Sequence, residues 1–282
     1  MESRVSSNTH LESGQQHAEY QALMQGLERS KFEKALILPL IEDAQNIVEV
    51  GCGNGVVLDL LSHNFPSSNV WGIDLDPVMC EASKSRGLPN VNVLCTDATT
   101  IPFAENESMD AVVYCSTLHE IFSQGGPSQV VASLKEAARV LRPGGSVIIR
   151  DSVKPSPGKT QIRFKQEWVE KRFYNYLKDY ELVKRQYEQL SDGTFSVENS
   201  YLFEFLTKYF YDVGWDKEMQ EVYGYYTEEE FRDELRCAGF EIVYKHSYLL
   251  PYFSEKWAKD LLIDQPFTKS TIIVKAEKVC SV

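Results

Sequence analysis

Short apolar runs alternate with helix-forming segments between residues 44 and 151. Five runs have the length of a buried strand and are bounded by glycine or polar residues: 47–50, 70–73, 91–94, 111–114 and 146–149. The segments between them, most clearly 127–141, carry apolar residues at helical spacing. Strands that alternate with helices predict an α/β unit, in which helices cover both faces of a parallel sheet.

The chain on either side of this unit follows other patterns. Residues 1–15 are polar and predict a flexible tail, and 17–43 has the apolar spacing of one or two capping helices. Residues 152–235 are rich in aromatic and charged side chains with little strand signal, which predicts a helical insertion. Two further strands are expected at 240–244 and 270–275. The predicted segments are 1–43, 44–151, 152–235 and 236–282.

The charge balance narrows the classes of partner. The 282 residues include 29 basic and 41 acidic side chains, a formal net charge of −12 at pH 7. A net acidic chain is repelled by phosphate backbones and by anionic membranes. Residues 150–190 differ, with ten basic against six acidic side chains. Because acids are interleaved throughout this stretch, a mixed-charge helix surface is favoured over an RNA-binding site.

Cysteine usage and the first residues indicate the compartment. The six cysteines form no Cys-x-x-Cys pair, and no set of His, Cys, Asp and Glu has the spacing of metal ligands. Residues 1–16 lack an apolar signal segment, and the longest apolar runs are far shorter than the ~18–20 residues that span a bilayer. We therefore expect reduced thiols in a cytoplasmic, metal-independent protein.

Three glycines follow the first predicted strand and open a helix. Gly51, Gly53 and Gly55 alternate with other residues, and glycine is needed where a backbone turns sharply or approaches a ligand. A dinucleotide-binding fingerprint would read Gly-x-Gly-x-x-Gly, but Val56 occupies the position of its third glycine. The spacing therefore argues against a nicotinamide cofactor.

Acidic residues end the second and third predicted strands. Asp74 stands where a carboxylate can accept both hydroxyls of a ribose, and Asp97 where one can accept from an adenine amino group. Ser116 and Asp151 follow the fourth and fifth strands. In open α/β sheets, ligands bind at the carboxyl ends of the strands, so these side chains predict a ligand site at one edge of the sheet.

These features combine into five motifs: Glu49-x-Gly51-x-Gly53-x-Gly55, Gly72-x-Asp74, Thr96-Asp97-Ala98, Met109-Asp110-Ala111-Val112 and Arg139-Val140-Leu141-Arg142-Pro143-Gly144-Gly145. In this order and spacing the motifs resemble those of class I S-adenosylmethionine-dependent methyltransferases, over roughly residues 45–151. The resemblance implies the Rossmann-like methyltransferase fold, a doubly wound, mostly parallel seven-stranded sheet. It also implies a lid, here a helical one, inserted between strands five and six, and S-adenosylmethionine as the cofactor.

The resemblance assigns residues to the cofactor. Glu49, Gly51 and Gly53 would line its methionine end, Asp74 its ribose, and Asp97 with Ala98 its adenine. Ser116 would contribute backbone groups. The full set of expected cofactor-binding residues is Glu49, Gly51, Cys52, Gly53, Asp74, Leu75, Asp97, Ala98 and Ser116.

Two residues are candidates for catalysis, each with a structural alternative. His119 has the side chain to deprotonate a hydroxyl or an ammonium before methyl transfer, or else it packs on or caps the following helix. Asp151 would orient a substrate amine or hydroxyl, or else form a salt bridge or a loop cap. A dedicated base is optional, because methyl transfer mainly needs an aligned nucleophile and exclusion of water.

Three functions follow, in order of preference. The first is in-line methyl transfer to an oxygen or nitrogen of a small molecule, supported by the acidic balance and by the aromatic insertion, whose rings suit an apolar pocket. The second is methylation of a tRNA or a protein, supported by the basic stretch 150–190. The third is a non-catalytic module that binds the cofactor.

Overall fold

The computed structural model describes residues 30–279. The predicted tail at 1–15 and residues 17–29 of the predicted capping segment 17–43 lie outside the described residues. Over the part of the chain that is described, no helix is long and apolar enough to cross a membrane.

The strands form two sheets and are numbered in chain order. The main sheet consists of β1 (Asn46–Val50), β2 (Asn69–Asp74), β3 (Val91–Cys95), β4 (Met109–Cys115), β5 (Leu141–Ser152), β9 (Phe240–Tyr248) and β11 (Thr271–Lys278). The second sheet consists of β6 (Lys159–Phe164), β7 (Tyr187–Gln189), β8 (Phe195–Glu198) and β10 (Leu261–Ile263).

The described helices are also numbered in chain order. They are α1 (Lys31–Lys34), α2 (Val56–Asn64), α3 (Pro77–Lys84), α4 (Leu118–Val140), α5 (Glu167–Asp179), α6 (Asn199–Lys208), α7 (Trp215–Glu218), α8 (Glu228–Cys237) and α9 (Pro251–Asp260). A 3₁₀ helix, Ala35–Leu40, follows α1. The backbone of α4 leaves helical geometry at Gly126, directly before Pro127.

The main sheet has the predicted doubly wound order. Its strands lie side by side as β3-β2-β1-β4-β5-β11-β9. The pairs from β3 to β5 are parallel, and β11 runs antiparallel to both β5 and β9. Chain order reverses between β1 and β4, which opens a crevice at their carboxyl ends. The mostly parallel, seven-stranded Rossmann-like sheet expected from the sequence is confirmed.

Alternating side chains of the central strands supply a core on each face of this sheet. Ile149 belongs to the core that contains α4 and α8, where Leu134 and Phe231 are buried. Ile148, one residue earlier, belongs to the core that contains the 3₁₀ helix and α2, where Leu61 is buried. Both faces are therefore covered, and the carboxyl edge remains as the place for a site.

The insertion after β5 differs from the helical one expected. It contains β6, β7 and β8 besides α5, α6 and α7, so the prediction of a purely helical segment is wrong. In β6 the buried Thr160 and Ile162 alternate with exposed neighbours, a period-two pattern hidden among the aromatic and charged residues. Asp192 and Gly193 lie in the turn between β7 and β8, and Gly193 has a φ of +82°.

A second excursion completes the small sheet. Residues 249–270 leave the main sheet between β9 and β11 and contribute α9 and β10, which pairs with β6. Rings from both excursions share one aromatic core, in which Phe173, Tyr176, Tyr201 and Trp257 are almost fully buried. Most insertion aromatics therefore pack this second core.

Candidate active site

Three glycines shape the loop between β1 and α2. Gly51, Gly53 and Gly55 have φ angles of +71°, +51° and +80°, a region that residues with a Cβ rarely adopt. A Cβ on Gly51 would also lie 2.3 Å from Cγ2 of Thr117. The backbone angles therefore require glycine at all three positions, and at Gly51 the close approach of the Thr117 side chain requires it as well.

Asp74 connects the glycine loop to the end of β2. Its Oδ2 accepts the N–H of Gly53 at 2.7 Å, and its Oδ1 accepts the N–H of Asp76 at 2.9 Å. Because each carboxylate oxygen has a second lone pair, the side chain can still accept hydrogen bonds from a ligand. Asp74 thus holds the glycine loop in place and can still accept hydrogen bonds from a ligand.

A cavity of about 270 Å³ opens beside these residues at the carboxyl ends of β1 to β4. Five residues predicted to bind the cofactor line it: Gly51, Asp74, Leu75, Asp97 and Ala98. The rest of the wall comes from residues next to these in the chain, from Thr117 before α4 and from α4 itself: Ile73, Thr96, Thr99, Thr117, Glu120, Ile121, Gln124, Gly125 and Gln129.

The lining suits a nucleoside. Leu75 is 59% exposed although it is a large apolar residue, and Ala98 and Ile121 add apolar surface to the same cavity. Asp74 and Asp97 supply acceptors at two neighbouring strand ends. A nucleoside combines apolar ring faces with donors on its ring edge and its ribose, so the residues present fit the cofactor that the sequence predicts.

Glu49, Cys52 and Gly53 belong to the same loop region but do not line this cavity. Glu49 is 2% exposed, and its Oε2 has no hydrogen-bond partner among the described residues. Burial raises the pKa of this carboxyl, while the nearby Lys34 ammonium acts in the opposite direction. A buried acceptor without a donor fits a ligand ammonium, such as that of a methionine moiety. Burial also raises the pKa of the Cys52 thiol.

Ser116 joins the ends of β4 and β5. It has a φ of +60°, and its N–H donates to the carbonyl of Arg150 at 2.7 Å. Its Oγ accepts from Nη1 of Arg150 at 3.1 Å. Ser116 lies next to Thr117 of the cavity wall but does not line the cavity itself.

His119 and Asp151 form a buried pair at the start of α4. His119 is 4% exposed and Asp151 is 1% exposed. Nδ1 of His119 donates to Oδ1 of Asp151 at 2.7 Å, and Oδ2 of Asp151 accepts the N–H of Leu118 at 2.8 Å. The two sequence candidates are thus brought together, outside the cavity described above.

The electrostatics of this pair hold a proton on the imidazole. Burial alone would lower the pKa of His119, but the adjacent Asp151 carboxylate raises it to about 9. Burial alone would raise the pKa of Asp151, but His119 and the backbone N–H donors lower it. Near neutral pH, His119 is therefore a cation beside a carboxylate, which is the wrong protonation state for a general base.

Glu221 and Tyr223 of the insertion contact the same histidine. The His119 and Tyr223 rings stack with centroids 4.7 Å apart, and Nε2 of His119 lies 3.9 Å from Oε2 of Glu221. Sequence analysis did not single out either residue. About a hundred positions separate them from His119, so no local spacing could reveal the contact.

His119, Glu120 and Glu221 each place one potential metal ligand within 4.8 Å of the others. The sequence showed no such set, because Glu221 is remote from the other two. Nζ of Lys217 lies 3.8 Å from Oε1 of Glu120 and 3.5 Å from Oε1 of Glu221, so an ammonium of the chain itself already lies beside both carboxylates. We derive no metal-dependent step from this cluster.

A buried ion pair supports the segment that carries Glu221 and Tyr223. Nζ of Lys208 lies 2.5 Å from Oε2 of Glu204 and donates to the carbonyl of Glu221 at 2.6 Å. Glu204 also accepts the N–H groups of Tyr223 and Gly224 at 3.0 and 2.6 Å. Through Glu204 and Lys208, helix α6 thus holds in place the backbone of the segment that contacts His119.

Comparison with known proteins agrees with this geometry. Residues 48–149, which contain the glycine loop and both strand-end acids, match a family model described as a methyltransferase domain. Over these residues the chain is therefore similar to methyltransferase domains. This similarity agrees with S-adenosylmethionine, the cofactor that the sequence motifs imply.

A relative of known name is similar to about half of the chain. A demethylmenaquinone methyltransferase from Staphylococcus aureus is 32% identical over 157 residues, which are 53% of this chain and 60% of that protein. The match thus spans about three fifths of the relative's length.

Solved structures of this methyltransferase class share the fold. An S-adenosylmethionine-dependent methyltransferase from Mesorhizobium loti aligns with a TM-score of 0.55 at 14% identity, covering 87% of this chain and 96% of that one. A second, from Aquifex aeolicus, aligns with a TM-score of 0.52 at 17% identity, covering 92% and 98%.

Proposed function

We propose that this protein is an enzyme that transfers a methyl group from S-adenosylmethionine to an oxygen or nitrogen of a small molecule and releases S-adenosylhomocysteine. The observation that carries the proposal is the cavity at the sheet edge, where a glycine loop meets Asp74 and Asp97. The similarity to the Staphylococcus aureus demethylmenaquinone methyltransferase supports methyl transfer as the reaction class.

The insertion supports a small acceptor. Its segment around Tyr223 packs against α4, where Ser123 accepts the N–H of Val222 at 2.8 Å. The same segment contacts the end of β5, since Oγ of Ser152 donates to the carbonyl of Tyr223 at 2.5 Å. The insertion therefore covers the start of α4 and the end of β5 beside the cavity, which supports an acceptor bound away from water.

The basic stretch gives little support to a nucleic-acid substrate. Arg163 and Arg172 pair with Asp192 and Asp212, and Nζ of Lys171 lies 2.6 Å from Glu167. These cations are engaged by acids of the same chain, whereas phosphate binding needs an uncompensated positive surface. Methylation of tRNA or protein is the second candidate.

When bound, S-adenosylmethionine supplies both the methyl group and the positively charged leaving group. The chain then has to bind the cofactor and the acceptor, align them with each other and exclude water. In the proposal, Asp74 and Asp97 hold the nucleoside, and Glu49 accepts from the methionine ammonium. His119 and Asp151 position the start of α4, and His119 keeps its proton during transfer.

Calorimetric titration tests the cofactor first. The wild-type protein should bind S-adenosylmethionine and S-adenosylhomocysteine with micromolar affinity and should not bind NAD. Absence of binding to both sulfur nucleosides would refute the proposal.

Methyl-labelled cofactor then tests the acceptor class. The protein is incubated with a cell extract, and the label is followed in fractions of small molecules, RNA and protein. Label in the small-molecule fraction supports the proposal, and label only in RNA or protein selects the second candidate. A variant with Gly51→Val, which cannot form the loop, is the matched control.

A further inference from the structure

Arg150 is a buried cation that pairs with no acidic side chain of the described residues. It ends β5 with only 6% of its surface exposed. Its Nη1 donates to Oγ of Ser116 at 3.1 Å, and the Tyr248 hydroxyl lies beside the guanidinium. The Asp151 carboxylate acts on Arg150 from a greater distance, and Nε of Arg150 has no partner in the part of the chain that the structure describes. Among residues 30–279, no carboxylate forms an ion pair with it.

Such an arrangement is costly unless something else neutralises the charge. Arginine is seldom fully buried without a partner, and a buried ion needs both an opposite charge and satisfied hydrogen bonds. A guanidinium offers donors in a planar fork that matches a carboxylate. The N–H at Nε of Arg150, which has no partner among the described residues, is therefore suited to donate a hydrogen bond to an anionic oxygen of a ligand.

Two further buried charged side chains, Lys34 and Glu49, lie near Arg150. Lys34 is 8% exposed and Glu49 is 2% exposed. Arg150, Lys34 and Glu49 all lie near enough to the Cys115 thiol to influence its ionisation. Asp151 also acts on this thiol, but it is already paired with His119. That leaves two buried cations beside one further buried carboxylate, Glu49, whose Oε2 lacks a partner among the described residues. Together they complement a ligand that carries both a carboxylate and an ammonium.

The position of Arg150 places this cluster next to the cavity. The hydroxyl that Arg150 contacts belongs to Ser116, and the next residue, Thr117, lines the cavity together with Gly51. Thr117 Oγ1 also donates to the carbonyl of Gly51 at 3.4 Å. In the sheet order, β4, β1 and β2 lie between β5 and β3, and Asp97 follows the end of β3 by two residues.

We propose that Arg150, assisted by Lys34, binds a ligand carboxylate at the end of the site remote from Asp97. The inference rests on the proposed function. The carboxylate comes either from the methionine moiety of the cofactor or from the acceptor, and the two sources are separated by experiment.

The first arm compares two nucleosides in calorimetry. S-Adenosylhomocysteine has the amino-acid moiety, and 5′-methylthioadenosine lacks it. If the cofactor supplies the carboxylate, Arg150→Met should weaken S-adenosylhomocysteine binding by about ten- to a hundredfold, the size of a charged hydrogen bond. Binding of 5′-methylthioadenosine should not change, and Arg150→Lys, which keeps the charge, should recover part of the loss.

The second arm measures thermal unfolding with acetate at saturating S-adenosylhomocysteine. If the acceptor supplies the carboxylate, Arg150→Met leaves both nucleoside affinities unchanged, and acetate raises the melting temperature of the wild type but not of the variant. Arg163→Met, the same change at an exposed arginine paired with Asp192, is the matched control. Circular dichroism confirms that each variant is folded.

Two results would overturn the inference in distinguishable ways. If the wild type binds both nucleosides, and Arg150→Met changes neither their affinities nor the response to acetate, the inference alone fails. If the wild type binds neither nucleoside, the proposed function fails and the inference falls with it.

Discussion

Nδ1 of His119 lies 2.7 Å from Oδ1 of Asp151, and the other oxygen of this carboxylate accepts backbone N–H groups of Thr117 and Leu118. One side chain at the end of β5 thus caps the start of α4 and fixes the imidazole ring. A negative group at a helix N-terminus is favourable, because it meets unpaired N–H groups there. The contact orders the cavity wall, which continues along α4 at Glu120 and Ile121.

The His119–Asp151 pair should make stability depend on pH above neutrality. The pKa of His119 rises from its ordinary 6.5 to about 9 in the folded chain. A raised folded pKa gives stability that is fully present below about pH 6.5 and is lost as the pH rises through about 9. Melting temperatures between pH 6 and 10 should therefore fall less steeply for His119→Gln than for the wild type.

His63 provides the control for this measurement, since its side chain is 71% exposed. His63→Gln should keep the wild-type pH profile. Parallel curves for the wild type and His119→Gln would show that His119 does not hold the proton assigned to it.

Asp74→Ala should weaken binding of S-adenosylhomocysteine by about ten- to a hundredfold, because charged hydrogen bonds of ~1.5–3 kcal/mol are lost. The loss has two physical sources. The ribose loses its acceptor, and the N–H of Gly53 loses the carboxylate that fixes the glycine loop. Calorimetric titration measures the affinity.

Asp76→Ala is the neighbouring control, because that carboxylate caps α3 by accepting the N–H of Val78 at 2.8 Å. It should lower stability by about 1 kcal/mol, the usual cost of a lost N-cap, and leave the affinity unchanged. Wild-type affinity in Asp74→Ala would exclude the assigned ribose position.

If His119 and Asp151 position α4, His119→Gln should keep its affinity for S-adenosylhomocysteine. It should lower kcat without introducing a new pKa into the pH profile of kcat, because the wild-type imidazole keeps its proton. A wild-type profile that rises with deprotonation near pH 9 and flattens in His119→Gln would instead assign the base role to His119.

The parts of the site that the sequence revealed are those set by local chemistry. Gly51 and Gly53 are required by their backbone angles. Asp74 ends the short strand β2, and Asp97 follows the short strand β3 by two residues. Each of these signals is contained in a few consecutive residues. Strand order could be inferred as well, because the βα alternation admits few arrangements of a parallel sheet.

The rest depends on contacts between distant segments. Glu221 and Tyr223 reach His119 only because the insertion folds back onto α4. The alternation of Thr160 and Ile162 in β6 was masked by the aromatic composition around it, and β10 lies far along the chain from its partner strand. Whether Arg150 is buried without a counter-ion likewise depends on packing that no local pattern encodes.

The Glu204–Lys208 pair offers a test of how the insertion supports the site. Both side chains are fully buried, so Lys208→Met leaves the Glu204 carboxylate without its cation in a dry environment. Removing one partner of a buried pair costs about 3–5 kcal/mol, and denaturant unfolding should show a loss of that order. The double variant Glu204→Gln with Lys208→Met should recover much of it, since the amide oxygen can still accept a backbone N–H from Tyr223 or Gly224.

Lys171→Met is the matched control for this change. It removes the same kind of side chain from the Lys171–Glu167 pair, which also spans one helical turn but lies in solvent. Solvent already screens that pair, so its loss should leave the free energy of unfolding unchanged. Equal effects of Lys171→Met and Lys208→Met would mean that the buried pair does not fix the segment, and that Tyr223 is held against His119 by ring packing alone.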